Sequence, residues 1–381
     1  MASTTTVYFL LVTFAVLLYI NSSESRLNSQ KELRKKKYVK TIKTSHGAIY
    51  DCVDFYQQPA FKHPRLKNHN FYPEMRPSII PNFTTSANGN VDMAELYYLE
   101  DGGCPRGTVP IRRLSEEDLV REAMFSKKRV YNQTNGPTVG QGTHFAILQT
   151  ASSPDTPKYL GVQATFSVWN PQVKETQYSA AQITIQNGPQ SLQTGWMVNP
   201  TMYKDGLTHV FIHTNVGQSN CYNVYCSGFV SVRSDLPPDV TIRGYCEPGK
   251  RPSLVFKFYI YRDQASGNWW LSLTEQNIPI GFWPANIFTN NLKNYGTYVS
   301  CGGETFSPLD YPGGYPLMGR GQYPLGILDQ DAFATYFDIV NENYEVIRVN
   351  LDDTDRFEDT NKYKLITDDD NKYIFYGGYG G

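Results

Sequence analysis

The sequence predicts a mainly β protein, an antiparallel β-sandwich preceded by a smaller mixed α/β segment. Three observations carry this. The chain holds 28 Tyr and 20 Phe, which favour strands, beside 30 Gly and 23 Pro, which favour tight turns. From Phe145 onward, β-rich runs recur between turn signals such as Asn187-Gly188-Pro189. Helical periodicity is confined almost entirely to one stretch, Leu114 to Phe125, and no internal repeat is visible.

Taken in order, residues 1–25 read as a signal peptide. The apolar run Val7 to Ile20 is short for a membrane span, and the small residues Ser23 and Ser25 follow it. Residues 26–41 form a basic linker containing Arg34-Lys35-Lys36-Lys37. Behind a signal peptide such a run reads as a solvated linker rather than a nucleic-acid patch. Residues 42–131 form the mixed segment. Its helix has Ser115 as cap, an acidic first turn from Glu116 to Asp118, and an apolar stripe through Leu119, Ala123 and Met124. A polar bridge, Asn132 to Thr143, opens the sandwich of residues 132–381. Strands are expected at 145–149, 161–169, 181–185, 195–198, 209–213, 254–261, 269–273, 298–301, 334–340 and 373–376.

Composition narrows the function classes. A formal net charge of -1 gives no basis for a nucleic-acid or acidic-membrane partner. Six cysteines, an even number, suit an oxidising compartment. Asn82-Phe83-Thr84 and Asn132-Gln133-Thr134 are glycosylation sequons. Secretion is therefore expected, to the extracellular space or the vacuole, with no lasting membrane association. The six histidines show no metal-ligand spacing, and His209 and His213, four apart in an expected strand, read as surface residues. No metal or cofactor is expected. Ser227 and Thr305 lack the partners of a serine triad.

Several fragments, in order, resemble the neprosin family of plant glutamic prolyl endopeptidases. Asp51-Cys52-Val53-Asp54, Gln58-Pro59-Ala60-Phe61, His63-Pro64, Cys104-Pro105 and Pro110-Ile111-Arg112-Arg113 resemble its activation peptide. Gly195-Trp196, Cys221-Tyr222, Cys226-Ser227-Gly228-Phe229, Gly267-Asn268-Trp269-Trp270-Leu271, Gly281-Phe282-Trp283-Pro284, Gly302-Gly303-Glu304, Met318-Gly319 and Phe375-Tyr376-Gly377-Gly378 resemble its peptidase domain. The resemblance covers roughly Ile42 to Gly381 and is weakest over 327–371. It implies a secreted zymogen, with residues 42–131 as activation domain and 132–381 as catalytic domain. It also implies cleavage of proline-containing peptides by two facing glutamates, without metal or cofactor.

Two close carboxyl groups cannot both ionise cheaply, so one activates water while the other keeps its proton and stabilises the oxyanion. By resemblance the second glutamate is Glu304. The first falls at Gln193, two residues before Gly195-Trp196, where this chain departs from the family. A glutamine can donate a hydrogen bond to an oxyanion but carries no transferable proton. Two readings follow: a peptidase working with a Gln193/Glu304 pair, or a silent protein that binds proline-rich peptides or glycans. The two side chains are expected on neighbouring strands, facing each other. Trp196, beside the pair, is expected to seat the substrate proline, and the other tryptophans to fill the core. The resemblance pairs Cys52 with Cys104 and Cys221 with Cys226. Cys246 and Cys301 remain, and a third disulfide between them is expected. Maturation is expected at Lys127-Lys128-Arg129, with Arg112-Arg113 as a competing site.

Overall fold

Most expected strands are present and longer than their sequence signals. The computed structural model describes residues 38–83, 94–118, 120–121, 142–150, 157–216, 219–225, 227–250, 254–309, 311–358 and 361–381. The apolar run 7–20, the basic linker up to Lys37, Asn132, the Lys127–Arg129 site and Cys226 lie outside them.

Three strands make a small sheet in the order β1 (Thr41–Lys43), β2 (Ile49–Asp54), β3 (Thr108–Arg112). The disulfide Cys52–Cys104 ties it to the segment ahead of β3. Ser115 caps the expected helix: its hydroxyl accepts from Asp118 N while Ser115 N donates to the Asp118 carboxylate. Residues 116–118 and 120–121 are helical, and the rest of that stretch is not among the described residues.

The sandwich follows as β4 (Thr143–Thr150), β5 (Gly161–Ser167), β6 (Tyr178–Asn187), β7 (Gln190–Val198), β8 (Thr208–Val216), β9 (Ser219–Tyr222), β10 (Val230–Ser231), β11 (Val255–Arg262), β12 (Trp269–Leu273), β13 (Ile278–Trp283), β14 (Tyr298–Phe306), β15 (Ala332–Val340), β16 (Val346–Arg348), β17 (Thr354–Glu358), β18 (Lys364–Thr367) and β19 (Tyr373–Gly377). One sheet has seven strands in the order β17-β4-β14-β6-β7-β8-β9. The other has nine, in the order β10-β13-β12-β11-β5-β15-β19-β18 with β16 beside β15. All registered pairs are antiparallel.

Alternation explains which side chains meet between the sheets. Ile183, Ile185, Leu192, Ile212 and Val299 from the seven-stranded sheet pack with Val162, Ala164, Phe256, Phe258 and Ile260 from the other. Trp196 belongs to this core. It is fully buried, and its indole N–H donates to Ser167 O on β5 at 3.0 Å. The expected role in seating a substrate proline is therefore corrected: one residue of pleat separates Trp196 from the face that holds Gly195 and Gln193.

The expected third disulfide is also corrected. Cys246 and Cys301 both remain buried thiols. Cys301 sits on the core side of β14, whereas Cys246 lies in the loop before β11, where its thiol donates to Leu254 O at 3.2 Å. Both act on Tyr376, so its side chain lies close to each of them in the apolar core. Burial pushes the Cys301 thiol well up, which suits an inert core residue.

Candidate active site

Glu304 projects from the outer face of the seven-stranded sheet. Register fixes its companions, because directly paired residues share a face. Glu304 pairs with Ala180, and Ala180 with Met197. Four residues along, Ser300 pairs with Thr184, Thr184 with Gln193, and Gln193 with His213. Between these rows lies a third, in which Gln182 is flanked by Gly302 and Gly195.

Both glycines are required by close approach. A Cβ on Gly195 would stand 1.9 Å from Ala181 O, and one on Gly302, at φ +145°, would stand 2.3 Å from Ala146 O. Their row on β14, β6 and β7 carries one side chain, Gln182.

Glu304 and Gln193 thus share one face, but they do not occupy neighbouring strands. β6 lies between them, and the pair is offset by four residues along the sheet. The expected direct confrontation is corrected to a diagonal with Gln182 at its middle. Glu304 is fully buried, and its two carboxylate oxygens accept from Tyr178 Oη and Gln182 Nε2. Gln182 Oε1 is buried with no hydrogen-bond partner among the described residues. Among β4, β6, β7, β8, β9 and β14, Glu304 is the only carboxylate.

Sequence reasoning missed Tyr178 and Gln182. The alternation Tyr178, Ala180, Gln182 in a strand paired with Glu304 was the available signal, once β6 was extended to its true start. It also placed His209 and His213 on the surface, whereas both are fully buried on this face. His213 Nε2 lies 2.6 Å from Asn220 Oδ1, and its ring packs on Tyr222 at 4.5 Å. No group of three metal-ligating side chains occurs among the described residues.

Residues from the small sheet and its sequel cover part of this face. Leu114 joins a cluster with Tyr178, Ala180, Met197, Phe211, Tyr222 and Phe306. At its border Arg112 enters a buried polar network. Its guanidinium donates to Tyr203 O at 3.0 Å, stands over the Tyr203 ring, and lies 3.9 Å from Asp205. His209 stacks on Tyr203 at 3.8 Å and reaches Asp205 at 2.8 Å. Tyr225 Oη donates to Asp239 at 3.0 Å, and Tyr50 Oη, from β2, to Asp239 O at 3.2 Å.

Burial holds the His209 imidazole below its ordinary range, against the pull of Asp205. Burial likewise raises Asp239, against the opposing influence of Arg112. Burial also acts to raise Asp205, but its bond with His209 and nearby positive charge leave it lowered. Arg112 is thus enclosed, while Arg113 beside it is exposed.

Comparison with known proteins agrees with this layout. Residues 41–149 match the family model described as the Neprosin activation peptide, and residues 175–379 match the Neprosin model. Among solved structures, the chain is similar to a scytalido-glutamic peptidase bound to a peptide-based transition-state analogue, at 12% identity and TM-score 0.35. That match covers 62% of this chain and 98% of the other. It is also similar to the same peptidase with a transition-state analogue inhibitor, at 10% identity and TM-score 0.34, over 62% and 97%. A heptameric SAP-like pentraxin from Limulus polyphemus follows at 12% identity and TM-score 0.20, over 49% and 66%. With its activation peptide ahead of its peptidase-type sandwich, and with Glu304 on the sandwich's outer face, this chain belongs to the neprosin family.

Proposed function

We propose that this protein is a secreted glutamic-type endopeptidase, made as a precursor, that cleaves proline-containing peptides with a single catalytic carboxyl group. The observation that carries the reading is Glu304, fully buried on a sheet face with both oxygens held by neutral donors. Two such donors orient the carboxylate without a counter-ion of their own. The ionised group then takes a proton from water attacking a scissile carbonyl and later returns it to the leaving nitrogen. Gln193, along the same face, supplies an N–H to the developing oxyanion. The row of Gly302, Gln182 and Gly195 lies between them and presents a single side chain to an extended peptide crossing the face.

Enclosure of Glu304 in the full chain, with Leu114 packed on the same face, suits a precursor whose activation segment must leave before substrate enters. A second reading is favoured by one observation. Gln193 stands where the family resemblance places a glutamate, and no other carboxylate on the six strands named above takes its place. On that reading the same face binds proline-rich peptides or glycans without cutting them.

The deciding experiment is incubation of purified, acid-treated protein with proline-containing peptides, analysed by mass spectrometry. Cleavage at proline that disappears in Glu304→Gln supports the peptidase. Intact peptides after long incubation, with the fold retained, support the silent binder.

A further inference from the structure

We propose that the outer face of the nine-stranded sheet is a docking site for an extended proline-rich peptide. In this chain it is occupied by the protein's own residues 71–83. The face lies on the other side of the molecule from Glu304, so it would hold a part of a substrate remote from the bond being cut. That last step rests on the peptidase reading; the docking itself does not.

The face is aromatic. Tyr261 pairs with Trp270, and Trp270 with Phe282, across β11, β12 and β13. Tyr259 stands two residues along β11, paired with Gln163. The segment above it, Phe71-Tyr72-Pro73-Glu74-Met75-Arg76-Pro77-Ser78-Ile79-Ile80-Pro81-Asn82-Phe83, contains no regular secondary structure. From Phe71 to Ser78 its residues alternate between half-buried and exposed, and Pro73, Pro77 and Pro81 all lie on the half-buried side.

Both ends of the segment are anchored by rings. Phe71 meets Phe282 edge-on at 4.9 Å, and Phe83 packs on Tyr259 at 5.0 Å and Tyr261 at 6.3 Å. Between them Ser78 donates its N–H and its hydroxyl to Asp263, at 2.7 and 2.5 Å.

A second observation points to a ligand other than this segment. On the same face, Trp270 Nε1, Tyr259 Oη and Thr165 Oγ1 are buried with no hydrogen-bond partner among the described residues. A proline-rich chain is extended and has no internal hydrogen bonds, so its carbonyls seek donors on the surface that receives it. Aromatic rings with N–H and O–H donors are the surface such chains select. Phe83 covers Tyr259, and the donors of this face stay unsatisfied beside the chain's own segment, so a better-matched proline-rich peptide would displace it.

The test uses the full-length chain carrying Glu304→Gln, so that no bound peptide is cut. Phe71→Ala and Phe83→Ala vacate the face. The probe is a fluorescein-labelled synthetic peptide of residues 71–83, read by anisotropy. Saturable binding at least tenfold tighter than to the chain with both phenylalanines is expected. Alanine at the three prolines of the probe should weaken binding at least tenfold. Tyr259→Phe with Trp270→Phe, which removes donors that this segment leaves unsatisfied, should leave binding of this probe unchanged and weaken several-fold that of a decaproline probe.

No saturable binding to a vacated chain of native circular dichroism, or equal binding of the proline-free probe, overturns the proposal. If the double variant does not fold, Phe83→Ala alone gives the same comparison. Cleavage is measured separately with Glu304 intact. Docking without cleavage removes the peptidase reading and leaves the site, while cleavage without docking does the reverse.

Discussion

The two outer faces of the sandwich are both buried in the precursor, yet they are covered by different chemistry. Over the seven-stranded sheet, the cover brings a charge: Arg112 enters among Asp205, His209 and Asp239, beside the face that holds Glu304. Over the nine-stranded sheet, the cover brings rings and prolines, with Phe71 and Phe83 on Phe282 and Tyr259. The ring contacts of the second kind are indifferent to pH and only the Ser78–Asp263 bonds beside them titrate, whereas the first kind is a buried network of titratable groups. The contrast divides labour within one activation segment. One contact gathers titratable groups beside the face of Glu304, and the other is mainly aromatic.

The sharpest separation of the faces comes from Glu304→Gln. Because no second carboxylate shares its six strands, cleavage of proline peptides should fall by about 10⁴-fold, the upper end for a general acid–base group. Peptide docking on the opposite face should be unchanged. Steady-state cleavage assays and anisotropy on the same preparation check both halves.

Next in size is Arg112→Ala. Removing one partner from a buried charged network leaves Asp205 and Asp239 uncompensated, at a cost of about 3–5 kcal/mol. Denaturant titration should show this loss, and Phe71→Ala should cost less. Equal losses would erase the distinction between the two covers.

Gln193→Glu should lower cleavage by about 10²-fold at neutral pH, because an ionised side chain there no longer donates an N–H to the oxyanion. Cleavage raised by this variant would overturn the single-carboxyl mechanism and show that a second proton-carrying group is what the wild type lacks.

The smallest expected effect is a slope. His209 has its folded-state pKa below the reference 6.5, so its contribution to stability is present above that pH and lost as pH falls through the lowered value. Asp205, also lowered, loses its contribution at still lower pH. Asp239, raised by burial, has the opposite sign and opposes them. Stability should therefore decline below pH 6.5, by at most about 1.4 kcal/mol per pH unit for each proton taken up. His209→Gln should flatten the upper part of that decline. Thermal melts between pH 7 and 4 provide the measurement.

How much of this was legible in the sequence depends on the strand. Strands β5, β11 and β12 read well, because continuous aromatic and β-branched runs mark them. The expected strand 195–198 was found only in part: β7 begins at Gln190, and its polar Gln190, Ser191 and Gln193 broke the pattern. The same happened at β14, expected only over 298–301, although the strand runs on through Gly302-Gly303 to Phe306. Polar residues and glycines are what an active-site strand needs, so the signal failed where the chemistry lies. The expected direct facing of Gln193 and Glu304 failed for a related reason: sequence spacing does not reveal that β6 inserts between β7 and β14. Trp196 was misassigned by a single residue of pleat. The small sheet and β13 were missed because short strands beside Cys, Pro and Gly carry too few alternations to register.

The disulfide Cys52–Cys104 has a consequence for how the enzyme would be switched on. It closes a ring of chain that contains residues 71–83, and β2 of that ring is paired to β3, which ends in Arg112. Phe71 and Phe83 belong to that closed ring, and Arg112 follows it on the strand paired to it. Once the backbone is cut between 122 and 141, the segment before the cut would be a multivalent ligand for the remaining sandwich, because Gln58 also bonds Ser231, Leu99 N donates to Asp235 O and Cys104 N donates to Ser234 O. Any one contact, if it lets go, stays at high effective concentration and re-engages before the others dissociate. Peptide-bond cleavage alone would then leave a tight non-covalent inhibitor in place. Productive release would require these contacts to weaken together, with proton uptake in the Arg112 network and competition from an arriving peptide each loosening a part.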